Sequence, residues 1–529
     1  MSKTGVDTIQ QSYDDFPYAS YPFPQTAPEH LQAVAWLFGL QAPEPTGARV
    51  LELGCAAGGN LVPFAARHAK ASALGLDLSE VQIRDGQAVI SEMGLENIEL
   101  RQCDVSEVDA ESLGRFDYII CHGVYSWVPE HVQQAILALC GELLTDNGVA
   151  YVSYNTYPGW KTREVVRDAM LLRAERGDSP GEKLSYARGM IDFLTQMAPK
   201  GSLLAGIMEE NAPVLRDSRD GYLVHEFLET WNSPCYFRDF IARADGHGLA
   251  YLAESEVHRM FASNYPPEIS GPLMRECGTQ VMLEQYLDFL TQRQFRQTLL
   301  VRKPRAGAIR YNLEPERLRA MHYAAQMDCR DGQARLDDSP QRFGPADERF
   351  MTIANSYMKA AALALAAAWP ATVDPAALDA AARERLGADA GDIPPHALDE
   401  FLEELVIFGL ARFRLHPVAL AAASQTPRVD GAIRRRASAS LAPELADHTF
   451  NAWHETVPLS PADRALIAHL DGNTDRAALI QALCAEVQAG RIVLLHKGKP
   501  VEGEAAIAGQ AALHVDAFLG RLRELKLLV

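Results

Sequence analysis

Apolar runs of five or six residues recur from residue 49 onward, separated by stretches in which apolar positions return every third or fourth residue. Strands fit at 49–53, 73–77, 98–102, 116–121 and 148–153, and the buried runs among them that lack clean polar alternation are what a parallel sheet covered on both faces requires. The stretches 60–69, 80–93 and 128–144, with a shorter one near Val108, predict the covering helices. Together they predict a Rossmann-like, doubly wound α/β domain.

Two further strands complete such a sheet, and the pattern places them late, at 248–253 and 297–302. Helical periods at 161–176, 237–244 and 283–295 fall before them, and 178–221 reads as an insertion with a helix over 182–197. The insertion is a dimerisation element or a substrate lid. A catalytic domain over 1–305 follows from this. A middle region, 306–420, is anchored by the apolar helical face of Leu398, Phe401, Leu402, Leu405, Val406 and Ile407 and a short strand at 411–415. Ser, Pro, Gly and the run Arg434–Arg435–Arg436 mark 421–440 as a linker. The last part, 441–529, reads as helices over 462–470 and 476–486, a hairpin from 492–495 turning at Gly498, and a closing helix over 515–525. Such helix-plus-strand units resemble winged helices, which bind DNA or contact proteins, and no basic recognition helix is evident.

A chain of 529 residues needs more than one core. The formal charge of −19 disfavours nucleic acid as partner and suits a basic or lysine-bearing polypeptide better. No apolar run reaches membrane-span length, and Met1–Ser2–Lys3–Thr4–Gly5 leads into polar sequence, so a cytoplasmic protein without a membrane span is expected. Eight scattered cysteines fit reduced thiols, with Cys55, Cys121 and Cys140 buried. Neither CxxC nor HExxH occurs, so no metal site is expected.

Candidate chemistry centres on Val50–Asn60. A dinucleotide site wants GxGxxG to admit pyrophosphate to a helix N-terminus. Here the pattern is Glu52-x-Gly54-x-Ala56-x-Gly58, with an acid ahead of the loop and Ala in the middle position. S-adenosyl-L-methionine (AdoMet) has no phosphate, but it carries a sulfonium and an amino-acid tail whose ammonium an acid can hold. Glu52 therefore argues for AdoMet, and Gly54 and Gly58 allow close backbone approach. Asp77, 25 residues after Glu52 at the end of the second strand, is placed to accept the ribose hydroxyls. Asp104, after the third strand, is placed to accept the adenine amino group. His122, ending the fourth, is a base or makes a structural hydrogen bond.

Further segments, Ser12–Tyr13–Asp14–Asp15–Phe16–Pro17–Tyr18, Glu52–Leu53–Gly54–Cys55, Ser153–Tyr154–Asn155–Thr156–Tyr157–Pro158–Gly159–Trp160, His225–Glu226 with Tyr236–Phe237, and Gln292–Leu299, carry a resemblance. The chain resembles class I AdoMet-dependent methyltransferases with a methyltransferase regulatory domain, related to bacterial lysine methyltransferases of outer-membrane proteins. The resemblance implies a catalytic domain with helical insertion, a dimer-forming element, a mainly helical middle (regulatory) domain and a C-terminal α+β domain that shape a substrate cleft. It assigns cofactor roles to Glu52, Gly54, Gly58, Asn60, Asp77, Asp104 and His122, and departs from GxGxG only at Ala56.

An amine acceptor must lose its proton and line up behind the methyl group, which a desolvating aromatic channel assists. Tyr125, Trp127, Tyr157 and Trp160 follow the fourth and fifth strands, and Asn155 with Tyr157 is placed to orient an amine; the alternative for the tryptophans is packing. Tyr13 and Tyr18 belong to a proline-broken aromatic arm, either a lid over the cofactor or a tacked-down terminus. His225 and Glu226 close the acceptor pocket or form a buried polar link. The leading expectation is methyl transfer to a lysine nitrogen of a protein substrate. The alternative is a small-molecule N- or O-methyltransferase, and a non-catalytic AdoMet-binding scaffold is disfavoured.

Overall fold

Residues alternate between two apolar layers along each central strand. In β1 (Arg49–Leu53), Val50 packs with the layer that holds Leu31, Val62 and Phe64, while Leu51 and Leu53 join Ile136, Leu137 and Cys140 on the other face. The computed structural model describes residues 20–218, 220–345, 349–390, 393–419, 421, 424–439 and 447–528. Around β1 lie β2 (Ser72–Asp77), β3 (Ile98–Gln102), β4 (Phe116–Cys121), β5 (Leu144–Asn155), β6 (Leu249–Glu254) and β7 (Phe295–Arg302), in the order β3-β2-β1-β4-β5-β7-β6. The first five are parallel, and β7 runs antiparallel between β5 and β6. The order reverses beside β1, which opens a crevice at the carboxyl ends of β1 and β4.

The helix Glu80–Met93 starts where the pattern places it, because the Ser79 side chain accepts the Gln82 N–H and Gly94 takes the left-handed closing position. β5 begins earlier than expected, since the helix Glu130–Leu143 runs straight into it. The insertion holds two helices, Pro180–Met197 and Leu203–Asp217, rather than one. With Trp160–Ala174 they build a separate core of Val166, Met170, Leu184, Ile191, Ile207 and Leu215. Pro213 inside the second helix obscures its period in the sequence.

Beyond the sheet, Ser356–Ala368, Pro375–Leu386 and Ala397–Ile407 form the helical middle region, and Arg412–Arg414 pairs with His322–Ala324. The expected linker 421–440 is corrected in part: Gly431–Ser438 is a helix capped by Asp430, and Arg435 donates through Nε and Nη2 to the carbonyl of Met93 at 2.8 and 2.6 Å. A cation placed on a helix's last carbonyls is favourable, so this arginine straps the C-terminal region to the sheet domain instead of forming a solvated turn. The closing helix starts earlier than expected, at Glu504, and ends at Arg521. An unexpected hairpin, His448–Phe450 with Thr456–Pro458, carries Trp453 and His454 into the junction of all three regions. There the Trp453 indole N–H donates to Pro370 at 3.0 Å, and the guanidiniums of Arg412 and Arg414 lie over its ring.

One buried charge cluster ties β7 to its covering helix. Arg296 is fully buried and meets Asp288 at 2.8 Å, Glu284 at 3.0 Å and Glu254 at 3.3 Å, with its guanidinium stacked 3.5 Å from the Phe237 ring centre. All eight cysteines are free thiols, and Cys55, Cys121 and Cys140 are buried. Among the described residues no helix is long and apolar enough to cross a membrane.

Candidate active site

The crevice at the ends of β1, β2 and β4 encloses a cavity of about 250 Å³. The turn after β1 is held open by backbone geometry. Gly54 sits at φ +76°, its N–H bonds the Leu76 carbonyl at 2.8 Å, and a Cβ there would overlap Val124. Ala56 takes φ +48°, a left-handed conformation, and its N–H donates to Asp77 Oδ2 at 2.8 Å. The departure at Ala56 thus costs backbone strain rather than cavity room, on the order of 1 kcal/mol. Asp77 Oδ1 accepts from the Ser79 N–H at 2.9 Å, so two backbone amides fix this carboxylate at the rim.

Glu52 is buried at the floor. Its Oε1 accepts from Asn60 Nδ2 at 2.9 Å, while Oε2 has no hydrogen-bond partner among the described residues. Burial pushes this carboxyl up to about 8; the bond from Asn60 opposes the rise and the neighbouring Asp77 adds to it. A buried acid with one unused oxygen beside a cavity fits a ligand that brings a positive charge, as the amino-acid end of AdoMet does. Asn60 Oδ1 accepts from the Phe23 N–H at 3.0 Å, Thr26 Oγ1 at 3.0 Å and His454 Nε2 at 2.9 Å.

Asp104 lines the cavity and accepts from the N–H and hydroxyl of Ser106 at 2.8 and 2.7 Å. His122 also lines it, with Nδ1 2.9 Å from the Tyr151 hydroxyl and its ring 4.0 Å from that of Phe23. Burial lowers its pKa to about 4, so the imidazole is neutral and suited to hydrogen bonding rather than proton uptake. Gly58 stands behind the turn at φ +73°, against Leu100. Tyr13 and Tyr18 lie outside the described residues; the adjoining Ser20, Tyr21 and Phe23 border the cavity, and the Ser20 hydroxyl accepts the Gly59 N–H at 2.7 Å.

On the acceptor side the structure separates the candidates. Trp127, His225 and Glu226 line the cavity. Tyr125, Asn155, Tyr157 and Trp160 are not among the residues that line it. Tyr125 is buried against Tyr154 and Phe240, Trp160 packs edge-on to Trp127, and the Asn155 amide donates to Asn232 Oδ1 at 3.1 Å. The Tyr157 hydroxyl donates to Glu164 at 2.6 Å, and the Lys161 ammonium covers its ring at 4.0 Å. Among the walls that the sequence left without a role are Val128, Pro129, Val132 and Phe295, apolar positions whose local pattern is that of any core residue.

His225 and Glu226 sit in a π-helical turn, Val224–Leu228, which the insertion folds back over the cavity. His225 Nδ1 lies 3.2 Å from Glu229. Burial raises the Glu226 carboxyl to about 7, against the opposing pull of Arg163 and His225. The cavity is therefore lined by the acids Glu52, Asp77 and Asp104 and by Glu226, a carboxyl near neutrality, with the Trp127 indole among the same walls. Among the described residues no group of three His, Cys, Asp or Glu side chains is arranged to hold a metal ion.

Three family models match the chain: a methyltransferase domain over 50–148, a predicted methyltransferase regulatory domain over 219–302, and the PKMT C-terminal winged helix domain over 426–527. The regulatory match includes β6 and β7, upstream of the 306–420 segment expected to carry that role. The uncharacterized protein RP789 of Rickettsia prowazekii is 30% identical over 95% of this chain and 91% of its own length. RP028 of the same organism is 38% identical over 45% of this chain and 95% of its own length. PKMT2 from Rickettsia typhi, solved in complex with AdoHcy, superposes with a TM-score of 0.83 at 28% identity, covering 97% of this chain and all of that one.

Proposed function

Because the chain belongs to the family of AdoMet-dependent methyltransferases that join a methyltransferase domain to a regulatory domain and a PKMT winged helix, we propose that it methylates lysine side chains of a protein substrate. The observation that carries this reading is Glu226, a carboxyl with a pKa of about 7 in the wall of a cavity that Trp127 also lines. A lysine ammonium, pKa about 10.4 in water, must shed a proton before its nitrogen can attack. Glu226 is the group to attract that ammonium and take the proton. Trp127 shields the alkyl stem and tolerates a methylated ammonium on its face. AdoMet, when bound, supplies the electrophilic methyl group. Glu52 and Asp77 hold its tail and ribose, Asp104 its adenine, and His122 with Phe23 closes one side.

A protein acceptor is supported by the PKMT winged helix and by the PKMT2 likeness across the whole chain. Nucleic acid is disfavoured: Arg435 is committed to the Met93 carbonyl and Arg434 donates to the Val429 carbonyl. Exposed Phe193, Met197, Leu203 and Val214 on the insertion, with Leu172 on the helix Trp160–Ala174 packed against it, support a second copy of this chain as its partner, which sedimentation velocity reads directly as a dimer mass. Eight free thiols support a reducing, cytoplasmic compartment.

The test is transfer from labelled AdoMet into host lysate separated into protein, nucleic-acid and small-molecule pools. Label mapped to lysine in a protein band is the expected result. Label confined to the small-molecule pool would overturn the reading in favour of a small-molecule N- or O-methyltransferase.

The floor acid gives a second expectation. In the ligand-free protein Glu52 holds its proton up to about pH 8, whereas a cationic ligand favours the ionised form. AdoMet affinity should therefore rise between about pH 6 and 8, with proton release on binding. Calorimetry in two buffers of different ionisation enthalpy measures that proton. Glu52→Gln should abolish the release and weaken binding by about 10- to 100-fold, the worth of a charge-assisted hydrogen bond.

A further inference from the structure

We propose that His454, carried by the C-terminal winged-helix region, is a positioning residue for the cofactor: it orients Asn60, which in turn holds Glu52 toward the charged end of AdoMet. The inference rests on the cofactor assignment and is independent of which acceptor is methylated. His454 is buried and lies 394 residues from Asn60 in sequence, yet its Nε2 is 2.9 Å from Asn60 Oδ1.

Every proton in this relay is fixed by its neighbours. The Phe23 backbone N–H only donates, so the Asn60 atom facing it is the oxygen, and the amide nitrogen must face Glu52. His454 Nε2 also faces that oxygen and therefore carries hydrogen. Nδ1 lies 3.0 Å from Arg67 Nη2, a group that only donates, so Nδ1 presents its lone pair. Arg67 is anchored in turn on Glu29, which His68 also bonds. Only the neutral Nε2–H tautomer satisfies both contacts, and burial with Arg67 alongside keeps the ring neutral.

The loop is built to present this ring. His454 takes φ +61°, a left-handed conformation that few residues other than glycine, asparagine, aspartate and histidine adopt readily. Asn451 Oδ1 stabilises it by accepting from the N–H groups of Trp453 and Glu455 at 2.9 and 3.1 Å. Lys526 braces Glu455 at 2.7 Å, and Trp453 is pinned to Pro370. Docking of the C-terminal region is thus read at the floor of the cofactor cavity, where Glu52 otherwise faces Asp77 and the thiols of Cys55 and Cys121.

The test is AdoMet binding by calorimetry from pH 6 to 9. His454→Phe keeps a ring but removes both nitrogens, and about tenfold weaker binding is expected at pH 7, the worth of one buried hydrogen bond. With Asn60 no longer held, the pH midpoint of binding should move upward. His454→Gln restores a donor and should recover most of the affinity. In the wild-type protein, AdoMet should slow amide hydrogen exchange at residues 451–455, because coupling between two sites is reciprocal; this measurement needs no variant to fold. The proposal is overturned if His454→Phe binds with wild-type affinity, if affinity falls while the pH midpoint stays, or if exchange at 451–455 ignores the cofactor. A wild-type protein that binds no AdoMet would overturn it together with the cofactor assignment, whereas failure to label lysine leaves it standing.

Discussion

Replacing Glu226 by glutamine is expected to lower kcat for methyl transfer by about 10²- to 10⁴-fold, the span of a well-placed general base. The substitution keeps size and burial but removes a cavity-wall carboxyl whose pKa, about 7, lies at neutrality. Burial raises that value, so Glu226 is protonated below pH 7 and ionised above it. Only the ionised form attracts an ammonium and takes its proton, so wild-type kcat/KM should climb through an acid limb near pH 7. The glutamine variant should lose the limb along with the rate. A variant within about threefold of wild type, or one that keeps the limb, would sink the assignment and return attention to desolvation by Trp127 alone.

The second large effect concerns stability. Arg296→Leu should destabilise the sheet domain by about 3–5 kcal/mol, because it strips buried Glu284 of its ion-pair partner and leaves Glu254 and Asp288 with Arg293 alone, at 2.8 and 3.8 Å. Glu254, Glu284 and Asp288 all meet this guanidinium, and none has water to turn to. Burial already holds Glu254 and Glu284 above the ordinary carboxyl range, with Arg293 and Arg296 pulling the other way. Without Arg296 both rise further. The sign follows: a carboxyl raised in the folded state contributes stability below its unfolded pKa, near 4.5, and loses it as pH climbs through the folded value. The variant's deficit should therefore shrink toward pH 5, as read by urea unfolding at two pH values. An equal deficit at both would overturn the account. The exposed pair Arg101–Glu99 offers the contrast, since Glu99→Gln should change stability by less than about 1 kcal/mol.

What the sequence revealed divides along contact range. β1, β3, β4 and the helix Glu80–Met93 lie where the hydrophobic pattern puts them, because β1 and β4, buried on both faces, write their burial into consecutive residues, while β3 buries only Ile98 and Leu100 and alternates with exposed Glu99 and Arg101. Glu52, Gly54 and Asp77 were readable for a related reason: strand ends and the turn between them fix their positions locally. The acceptor wall was not. Tyr157 occupies a prominent turn after β5, but Glu164 and Lys161 claim its hydroxyl and ring, and the cavity is closed instead by a π-turn that returns from the insertion. His454 left no local trace at all, because its meaning depends on a partner in another region of the chain. Arg435 looked like linker chemistry until a helix end appeared beside it.

The placement of β7 has a consequence for how the chain is made. β5 ends at Asn155, and the strand that pairs with it begins at Phe295, 140 residues later. At about 5–20 residues per second, the ribosome leaves that edge waiting for roughly 7–28 s. During the interval the hydrogen-bonding edge of β5 is open to any passing strand, and the insertion, which has a core of its own, emerges first. A fragment that stops short of Arg302 keeps the edge open permanently. The smallest catalytic piece that stays in solution therefore has to include the whole insertion, even though none of the sheet's seven strands lies within it.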